Sequence, residues 1–217
     1  GSMGSAKSLR LLTTAYNMEE RGIQIMVLKP MADTRDGKDV IRSRVGIERE
    51  CVSVDEDANL FELVEEYGAV LEKMGLKLKC VMNDECQFLE ERQIDELSDV
   101  VDKLDITVLC YGLRTDFRSK LFPASKRLFE IADDFEEIET SCECGDNKTM
   151  INARFGENGV MEQDGEQILV GGDELYKPIC QKCWKESKTR KSQHTHLDNQ
   201  MKQPIKKKEF KKPSIAS

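Results

Sequence analysis

The sequence lacks any apolar run that approaches the roughly 18 to 20 residues required for a membrane-spanning helix. It also lacks a leader in which positive charge and a short apolar stretch precede a cleavage site of small residues. From these two absences we expect a soluble cytoplasmic protein that makes no membrane contact. Its 217 residues are enough for one good-sized domain or for a domain with an appendage.

A disulfide framework is not expected either, although the chain contains eight cysteines. A chain this long can bury a hydrophobic core without covalent cross-links, and we therefore expect a reducing compartment. Cys51, Cys80, Cys86 and Cys110 stand alone in apolar or strand-like surroundings. Cysteine in such surroundings usually acts as a small buried hydrophobe. The other four cysteines form two closely spaced pairs and need a separate explanation.

Negative charge dominates the chain but not its final segment. The formal charge is −8, yet residues 185–217 carry +7, which leaves −15 on the rest. This basic segment has no apolar periodicity and contains two prolines, so we predict a disordered, solvated tail. Binding of the tail to nucleic acid or to a membrane surface is the less favoured alternative, because the acidic body repels phosphate backbones.

Strand-like and helix-like patterns alternate over residues 1–135. Helices are predicted over 8–22, 58–75 and 94–104, and strands over 23–28, 51–54, 76–82 and 106–111. This alternation is typical of an α/β domain in which helices flank a parallel sheet. Over residues 136–184, cysteine pairs, glycines and short β-like segments replace the alternation, which predicts a second, smaller module.

Residues 1–8, GSMGSAKS, fit the phosphate-binding pattern G-x-x-x-x-G-K-[ST] except at the second glycine position. The loop residues are Gly1, Ser2, Met3, Gly4, Ser5 and Ala6. Backbone N–H groups of such a loop, together with the N-terminus of the following helix, bind the phosphates of a nucleotide. Lys7 would reach the β- and γ-phosphates, and the hydroxyl of Ser8 would bind Mg²⁺. A Gly-Ser-Met cloning remnant before an ordinary helix start is the alternative.

Two acidic residues, Asp84 and Glu85, follow Asn83 and the predicted strand 76–82. Parallel sheets place their ligand sites at the carboxyl ends of the strands. One carboxylate there can hold Mg²⁺ through water, while its neighbour accepts a proton from an attacking hydroxyl group. A solvated strand end is the alternative, but a phosphate-binding loop in the same chain favours the functional interpretation.

Cys142 and Cys144 form one cysteine pair, and Cys180 and Cys183 form the other. Four thiolates suit a closed tetrahedral structural Zn²⁺ site, which leaves no coordination position for catalytic water. Free thiols or a redox pair are the alternatives. Zinc at this place would anchor both ends of the glycine-containing loop 145–179, which is then predicted to close over a substrate as a flap.

Apolar side chains near the same sheet edge are candidates for a slot that holds a flat ring. They are Met3, Phe88, Leu113, Phe117 and Phe122. For each of them taken alone, a place in the ordinary core is the alternative. Together with the phosphate loop and a carboxylate base, the slot favours a kinase with a ring-containing acceptor over a P-loop hydrolase or a zinc-ribbon binding module.

Nine short motifs occur in order over residues 1–184. They are MGSAKS, NMEERG, VLKPMADTRDG, SRVGI, NDECQFL, LCYGLRTDFRSKLF, CECG, ILVGGDELY and CQKCW. In this order they resemble the type II thymidine kinases, the zinc-containing family, and most closely its enterobacterial and phage members. The resemblance implies a P-loop α/β domain with a zinc-bound lasso and a homotetrameric assembly. It also implies transfer of the γ-phosphoryl group of ATP to the 5′-hydroxyl group of thymidine.

The resemblance implies roles for individual residues, with Glu85 as the general base. The residues implied to approach the phosphates, the sugar and Mg²⁺ are Lys7, Ser8, Asp33, Arg35 and Asp84. The residues implied to contact the nucleoside are Met3, Phe88, Leu113, Phe117, Phe122, Gly171, Gly172 and Tyr176. The implied zinc ligands are Cys142, Cys144, Cys180 and Cys183.

The sequence departs from the family in three places. The short strand that precedes the phosphate loop in family members is missing, so we expect the chain to lack a central strand of that fold. Ala6 replaces a glycine, which costs on the order of 1 kcal/mol if the position requires a positive φ. Asn152 falls near a lasso position that is often threonine.

Overall fold

A computed structural model describes residues 1–34, 37–145, 147–156, 159–169 and 175–189. Within them the α-helices are α1 (Lys7–Glu19), α2 (Leu60–Lys73), α3 (Glu91–Leu104), α4 (Pro123–Ile131) and α5 (Gln181–Thr189). The strands are β1 (Gln24–Pro30), β2 (Val40–Arg42), β3 (Glu48–Glu50), β4 (Val52–Val54), β5 (Leu78–Asn83), β6 (Thr107–Cys110), β7 (Ile151–Arg154) and β8 (Tyr176–Ile179).

Four of the described strands form a parallel sheet in the order β4, β1, β5, β6. β1 lies inside this sheet, and its Leu28 pairs with Val52 on one side and with Asn83 on the other. The α/β class with a parallel sheet, predicted from the alternating pattern, is confirmed. Two antiparallel pairs, β2 with β3 and β7 with β8, lie outside the parallel sheet.

Alternating side chains along β1 build a hydrophobic core on each face of the sheet. Met26 and Leu28 pack on the face that α2, α3 and α4 cover. Ile25 and Val27 pack on the opposite face, which α1 covers. Because helices cover both faces, residues 25–28 of β1 form a continuous apolar run, IMVL, instead of alternating with polar residues. Such runs are typical of parallel strands that are buried on both faces.

Local capping fixes where two of these helices begin. The side chain of Asn59 accepts a hydrogen bond from the Glu62 N–H at the start of α2. Glu90 and Gln93 form a capping box at the start of α3, in which each side chain bonds to the backbone of the other residue. Such caps satisfy N–H groups that have no partner within the helix.

The C-terminal part of the described chain has a small core of its own. The antiparallel pair β7 and β8 packs with α5 around Ile151, Ala153, Met161 and Trp184. The predicted domain boundaries remain predictions, and the predicted tail lies outside the described residues from residue 190 onward. No described helix combines the length and the apolar character needed to cross a membrane.

Candidate active site

The phosphate loop folds tightly in front of α1. The Nζ of Lys7 donates a hydrogen bond of 2.9 Å to the Ser2 carbonyl, and the Ser5 hydroxyl donates one of 2.8 Å to the same oxygen. Ala6 precedes the first turn of α1 and offers no side-chain cap. The first turn of a helix presents N–H groups and the positive end of the helix dipole, which favours an anion here.

Two residues of this loop have a left-handed backbone conformation. The φ angle is +75° at Gly4 and +61° at Ala6. Position 6 therefore has the positive φ at which alanine was expected to be costly, because its Cβ disfavours this conformation.

Asp84 and Glu85 lie at the carboxyl end of β5, beside the phosphate loop. The Asp84 N–H donates to the Leu28 carbonyl at 3.0 Å, which continues the sheet pairing by one residue. Both side chains are buried. Burial, and after it the charge of Glu85, raises the pKa of Asp84 to about 7, although its hydrogen bond with Ser8 acts in the opposite direction.

The surroundings of Asp84 fit a divalent cation. Its Oδ1 is buried and has no hydrogen-bond partner among the described residues, while its carboxylate is hydrogen-bonded to Ser8. A carboxylate oxygen and a hydroxyl are the hard oxygen ligands that Mg²⁺ prefers. A cation placed there would also favour the charged form of the carboxylate.

Glu85 has a strained backbone and a defined side-chain partner. Its φ is +50°, in the left-handed region that is uncommon for residues with a Cβ. The Nε2 of Gln87 donates a hydrogen bond of 2.6 Å to Glu85 Oε2. Strained backbone of this kind persists only where the surrounding structure holds it in place.

One cleft collects most of the residues predicted to contact the nucleoside. Its lining includes the predicted residues Met3, Asp33, Glu85, Phe88, Leu113, Phe117, Phe122 and Tyr176. Phe117 and Phe122 are buried, and the Phe88 and Phe122 rings meet edge to face with centroids 6.3 Å apart. An apolar cleft with a carboxylate at its end suits a flat ring that carries a reactive hydroxyl group.

Residues 167–169 line the cleft, and Gln167 is hydrogen-bonded to its wall. Gln167 Nε2 donates to the buried carboxylate of Asp116 at 3.2 Å, and Arg118 forms an ion pair with the same carboxylate. The Tyr176 hydroxyl donates to the Leu169 carbonyl at 2.8 Å. Three predicted site residues, Arg35, Gly171 and Gly172, lie outside the described residues.

The four paired cysteines meet in one cluster. The ligand atoms of Cys142, Cys144, Cys180 and Cys183 all lie within 4.8 Å of one another. The Sγ atoms of Cys142 and Cys183 are 3.9 Å apart, as are those of Cys144 and Cys180. Zn–S bonds of about 2.3 Å in a tetrahedron place sulfur atoms roughly 3.8 Å apart, whereas a disulfide needs about 2.05 Å. The spacing therefore fits a tetrahedral thiolate site.

The module that contains this cluster contacts the phosphate loop directly. The Met3 N–H donates a hydrogen bond of 2.7 Å to Asn152 Oδ1, and the hydroxyl groups of Ser2 and Thr149 are hydrogen-bonded. These contacts join residues almost 150 positions apart in the chain. They hold Thr149 and Asn152, at and just before β7, against the loop that is predicted to bind phosphate.

Sequence reasoning missed several polar residues of the cleft. Those that line it are Gln87, Thr115, Asp116, Asn152 and Gln167. Gln87 and Asp116 lie within the motifs NDECQFL and LCYGLRTDFRSKLF, but among the residues of these motifs the sequence analysis assigned roles only to Asp84, Glu85 and apolar side chains. The only signal for Gln87 was a neutral amide in an otherwise apolar stretch directly after the acidic pair.

Most of the chain, including the residues described above, is similar to proteins of one family. The family model described as Thymidine kinase matches residues 1–184. The thymidine kinase of Rhodopirellula baltica is 44% identical over 186 residues, which cover 86% of this chain and 85% of that protein. The thymidine kinase of Enterobacteria phage T4 is 41% identical over 185 residues, 85% of this chain and 92% of the phage protein. That of Aliivibrio fischeri is 40% identical over 186 residues, 86% and 94% of the two chains.

Proposed function

The chain belongs to the thymidine kinase family, and we propose that it transfers the γ-phosphoryl group of ATP to the 5′-hydroxyl of thymidine at the carboxyl edge of its sheet. The observation that carries this proposal is the dipeptide Asp84-Glu85. Asp84 is hydrogen-bonded to Ser8 beside the phosphate loop, and Glu85 lines the nucleoside cleft. Adjacent carboxylates thus connect the donor side and the acceptor side of the reaction.

Lys7, Ser8 and Asp84 form the donor side. Backbone N–H groups of residues 1–6 and the N-terminus of α1 would bind the phosphates, and Lys7 would add a positive charge. Ser8 and Asp84 would hold Mg²⁺, which offsets the charge on the phosphate oxygens when it is bound. The unpartnered Oδ1 of Asp84 among the described residues supports this assignment.

Glu85 acts as the general base. Its carboxylate accepts the proton of the 5′-hydroxyl group while that oxygen forms a bond to the γ-phosphorus. At the same time the bond between the γ-phosphorus and the β–γ bridging oxygen breaks, and ADP leaves with that electron pair. Thymidine monophosphate is the second product. The burial of Glu85 supports the role, because a site shielded from solvent limits transfer to water.

The cleft forms the acceptor side. Met3, Phe88, Leu113, Phe117 and Phe122 would surround the thymine ring. Asp33 lines the same cleft and would approach the sugar, as would Arg35. Tyr176 and the backbone near Gly171 and Gly172 would hold the nucleoside from the lasso. Tyr176 and Leu169, which are hydrogen-bonded to each other, both line the cleft, and this supports a contact between the lasso and the nucleoside.

The cysteine cluster would bind one structural Zn²⁺. Its four thiolates leave no position for water or substrate, so the metal would act only through geometry. Binding of Zn²⁺ to this cluster would release the thiol protons, because the deprotonated thiolate is the form that binds the metal. The sulfur spacing supports this assignment.

The assembly and the compartment are further parts of the proposal. We infer a homotetramer from the family resemblance, and we propose that it works in the cytoplasm. Light scattering on the chromatographically purified protein tests the assembly. A mass of four chains is the expected result, and a monomer at micromolar concentration contradicts it.

The reaction is tested directly with ATP labelled in the γ-phosphate. We expect the label to appear in thymidine monophosphate, and ATP consumption to depend on thymidine. A hydrolase would release labelled phosphate at the same rate without thymidine. Equal ATP consumption with and without thymidine would therefore contradict the proposed function.

A further inference from the structure

The amide of Gln87 connects Glu85 with the wall of the nucleoside cleft. Its Nε2 donates to Glu85 Oε2 at 2.6 Å, and its Oε1 accepts a hydrogen bond of 2.9 Å from the Leu113 N–H. The side chain is only 2% exposed. A buried side chain with both ends of its amide bonded has one orientation rather than several.

The two partners also determine which end of the amide faces Glu85. An amide turned by 180° would direct its oxygen at the carboxylate and its NH₂ group at the Leu113 N–H, so that both contacts become repulsive. The hydrogen bond from the Leu113 N–H therefore keeps the NH₂ group of Gln87 directed at the carboxylate of Glu85. Since a hydrogen bond to a charged acceptor is stronger than one between neutral groups, this contact restrains the carboxylate.

The backbone around Gln87 is packed so closely that the amide has little freedom to move. A Cβ at Gly112 would lie 2.5 Å from Cys86 Sγ and 2.8 Å from Gln87 Oε1. The Cys86 N–H donates to the Tyr111 carbonyl at 3.0 Å, which joins the segment after β5 to the segment after β6. Glycine at position 112 thus allows the approach that brings Leu113 to Gln87.

We propose that Gln87 is a positioning residue that holds the carboxylate of Glu85 in the orientation required for proton transfer, and that it couples this orientation to the Leu113 wall of the cleft. The proposal rests on the proposed role of Glu85 as the general base. Gln87 itself does not exchange a proton in the reaction. Its effect passes through Glu85, because misplacement of a catalytic group by about 1 Å can lower the rate about 10²-fold.

The test is a double-mutant cycle with Gln87→Met and Glu85→Gln. Methionine has a similar length and no amide, so we expect Gln87→Met to lower kcat by about 10- to 100-fold and to leave the KM for ATP within about twofold. In the Glu85→Gln background, we expect Gln87→Met to change the residual kcat by less than about twofold, since groups that act as a unit are not additive.

Gln93 provides the matched control. It is equally buried, and its amide bridges the Glu90 N–H and the carbonyls of Asp55 and Ala58, away from the cleft. Gln93→Met should lower the melting temperature while kcat stays within about twofold of the unmodified enzyme. If Gln87→Met does not fold, Gln87→Asn replaces it, because its shorter amide cannot reach both partners.

The outcomes separate this proposal from the proposed function. If either folded Gln87 variant keeps the kcat of the unmodified enzyme, or lowers kcat equally in both backgrounds, Gln87 is a structural residue and the proposal is wrong. If Glu85→Gln alone retains kcat, then the assignment of the base is wrong. If Glu85→Gln inactivates the enzyme and Gln87→Met does not, only the positioning role is lost.

Discussion

The indole Nε1–H of Trp184 donates a hydrogen bond of 3.1 Å to the backbone carbonyl of Phe117. Trp184 follows Cys183 in the cysteine cluster, and Phe117 lines the nucleoside cleft. The guanidinium of Arg154, on β7, lies over the aromatic ring of Phe117, with its Cζ 3.8 Å from the ring centroid. Two residues of the C-terminal β7–β8 and α5 unit therefore contact Phe117: Trp184 bonds to its backbone, and Arg154 packs on its ring.

We expect Trp184→Phe to weaken thymidine binding more than ATP binding. The substitution leaves an aromatic ring but removes the donor to the buried Phe117 carbonyl, and an unsatisfied buried group costs about 1–3 kcal/mol. Because Phe117 lines the cleft, loss of this support for its backbone is expected to weaken thymidine binding and raise the KM for thymidine about tenfold, which corresponds to about 1.4 kcal/mol of binding free energy. Steady-state kinetics with each substrate varied in turn measure both values. An equal rise in both KM values would contradict the route through Phe117.

The cysteine cluster should contain about one zinc per chain, as measured by elemental analysis of protein purified without chelator. Cys183→Ser should release one end of the flap, so that substrate binding must order it at a cost of roughly 1–2 kcal/mol per freed residue. The KM for thymidine is therefore expected to rise about tenfold or more, while the KM for ATP stays unchanged.

Cys51→Ser is the matched control for this prediction. Cys51 is half-buried and lies outside the cluster, and burial raises the pKa of its thiol to about 11. The control should leave zinc content and both KM values unchanged. Protein that is active without zinc would contradict a structural role for the metal. If Cys183→Ser lowers kcat and leaves the KM for thymidine unchanged, then the flap acts on the chemical step and not on substrate binding.

Much of the fold could be predicted because its signals are local. The periodic pattern predicted a helix over 94–104, and α3 spans Glu91–Leu104. Three elements of the first 135 residues were not predicted. α4, Pro123–Ile131, is too short for a clear helical period, and the paired strands β2 and β3 have only three residues each.

Candidate site residues could be named from the sequence where a single residue type carries the chemistry. The structure brings the four paired cysteines into one cluster and most of the residues predicted to contact the nucleoside into one cleft. The bonds of Gln87 to Leu113 and of Trp184 to Phe117 could not be predicted. They depend on how distant segments meet in three dimensions, and neither an amide nor an indole carries a charge that marks its role.

Ala6→Gly should stabilise the protein. The φ of +61° at this position disfavours alanine, whereas glycine adopts it without the clash of a Cβ, so a gain of about 1 kcal/mol is expected. Urea denaturation measures the free energy of unfolding. Ala15→Gly, inside α1, is the control of opposite sign, because glycine within a helix costs roughly 0.5–1 kcal/mol relative to alanine. A destabilised Ala6→Gly variant would show that the loop does not carry this strain.

Lys7→Ala should abolish phosphoryl transfer, with a loss of about 10²-fold or more in kcat, because the charge at the β- and γ-phosphates is removed. Thymidine affinity should change little, since the thymine ring is proposed to bind between the aromatic side chains of the cleft and not at Lys7. Calorimetric titrations with each substrate separate the two effects. Lys79→Ala, at an exposed position of β5, should leave both unchanged. If Lys7→Ala keeps both the affinity for ATP and the kcat of the unmodified enzyme, then residues 1–8, GSMGSAKS, do not form the ATP site.

The role of Glu85 as the general base is tested most directly by the kcat of Glu85→Gln at saturating ATP and thymidine, with Glu91→Gln on the exposed start of α3 as the control. A positioned general base contributes about 10² to 10⁴ to the rate. We predict that Glu85→Gln binds both substrates with unchanged affinity and has a kcat lower by about 10² or more, while the control retains full activity. A Glu85→Gln enzyme with the kcat of the unmodified protein would contradict the account.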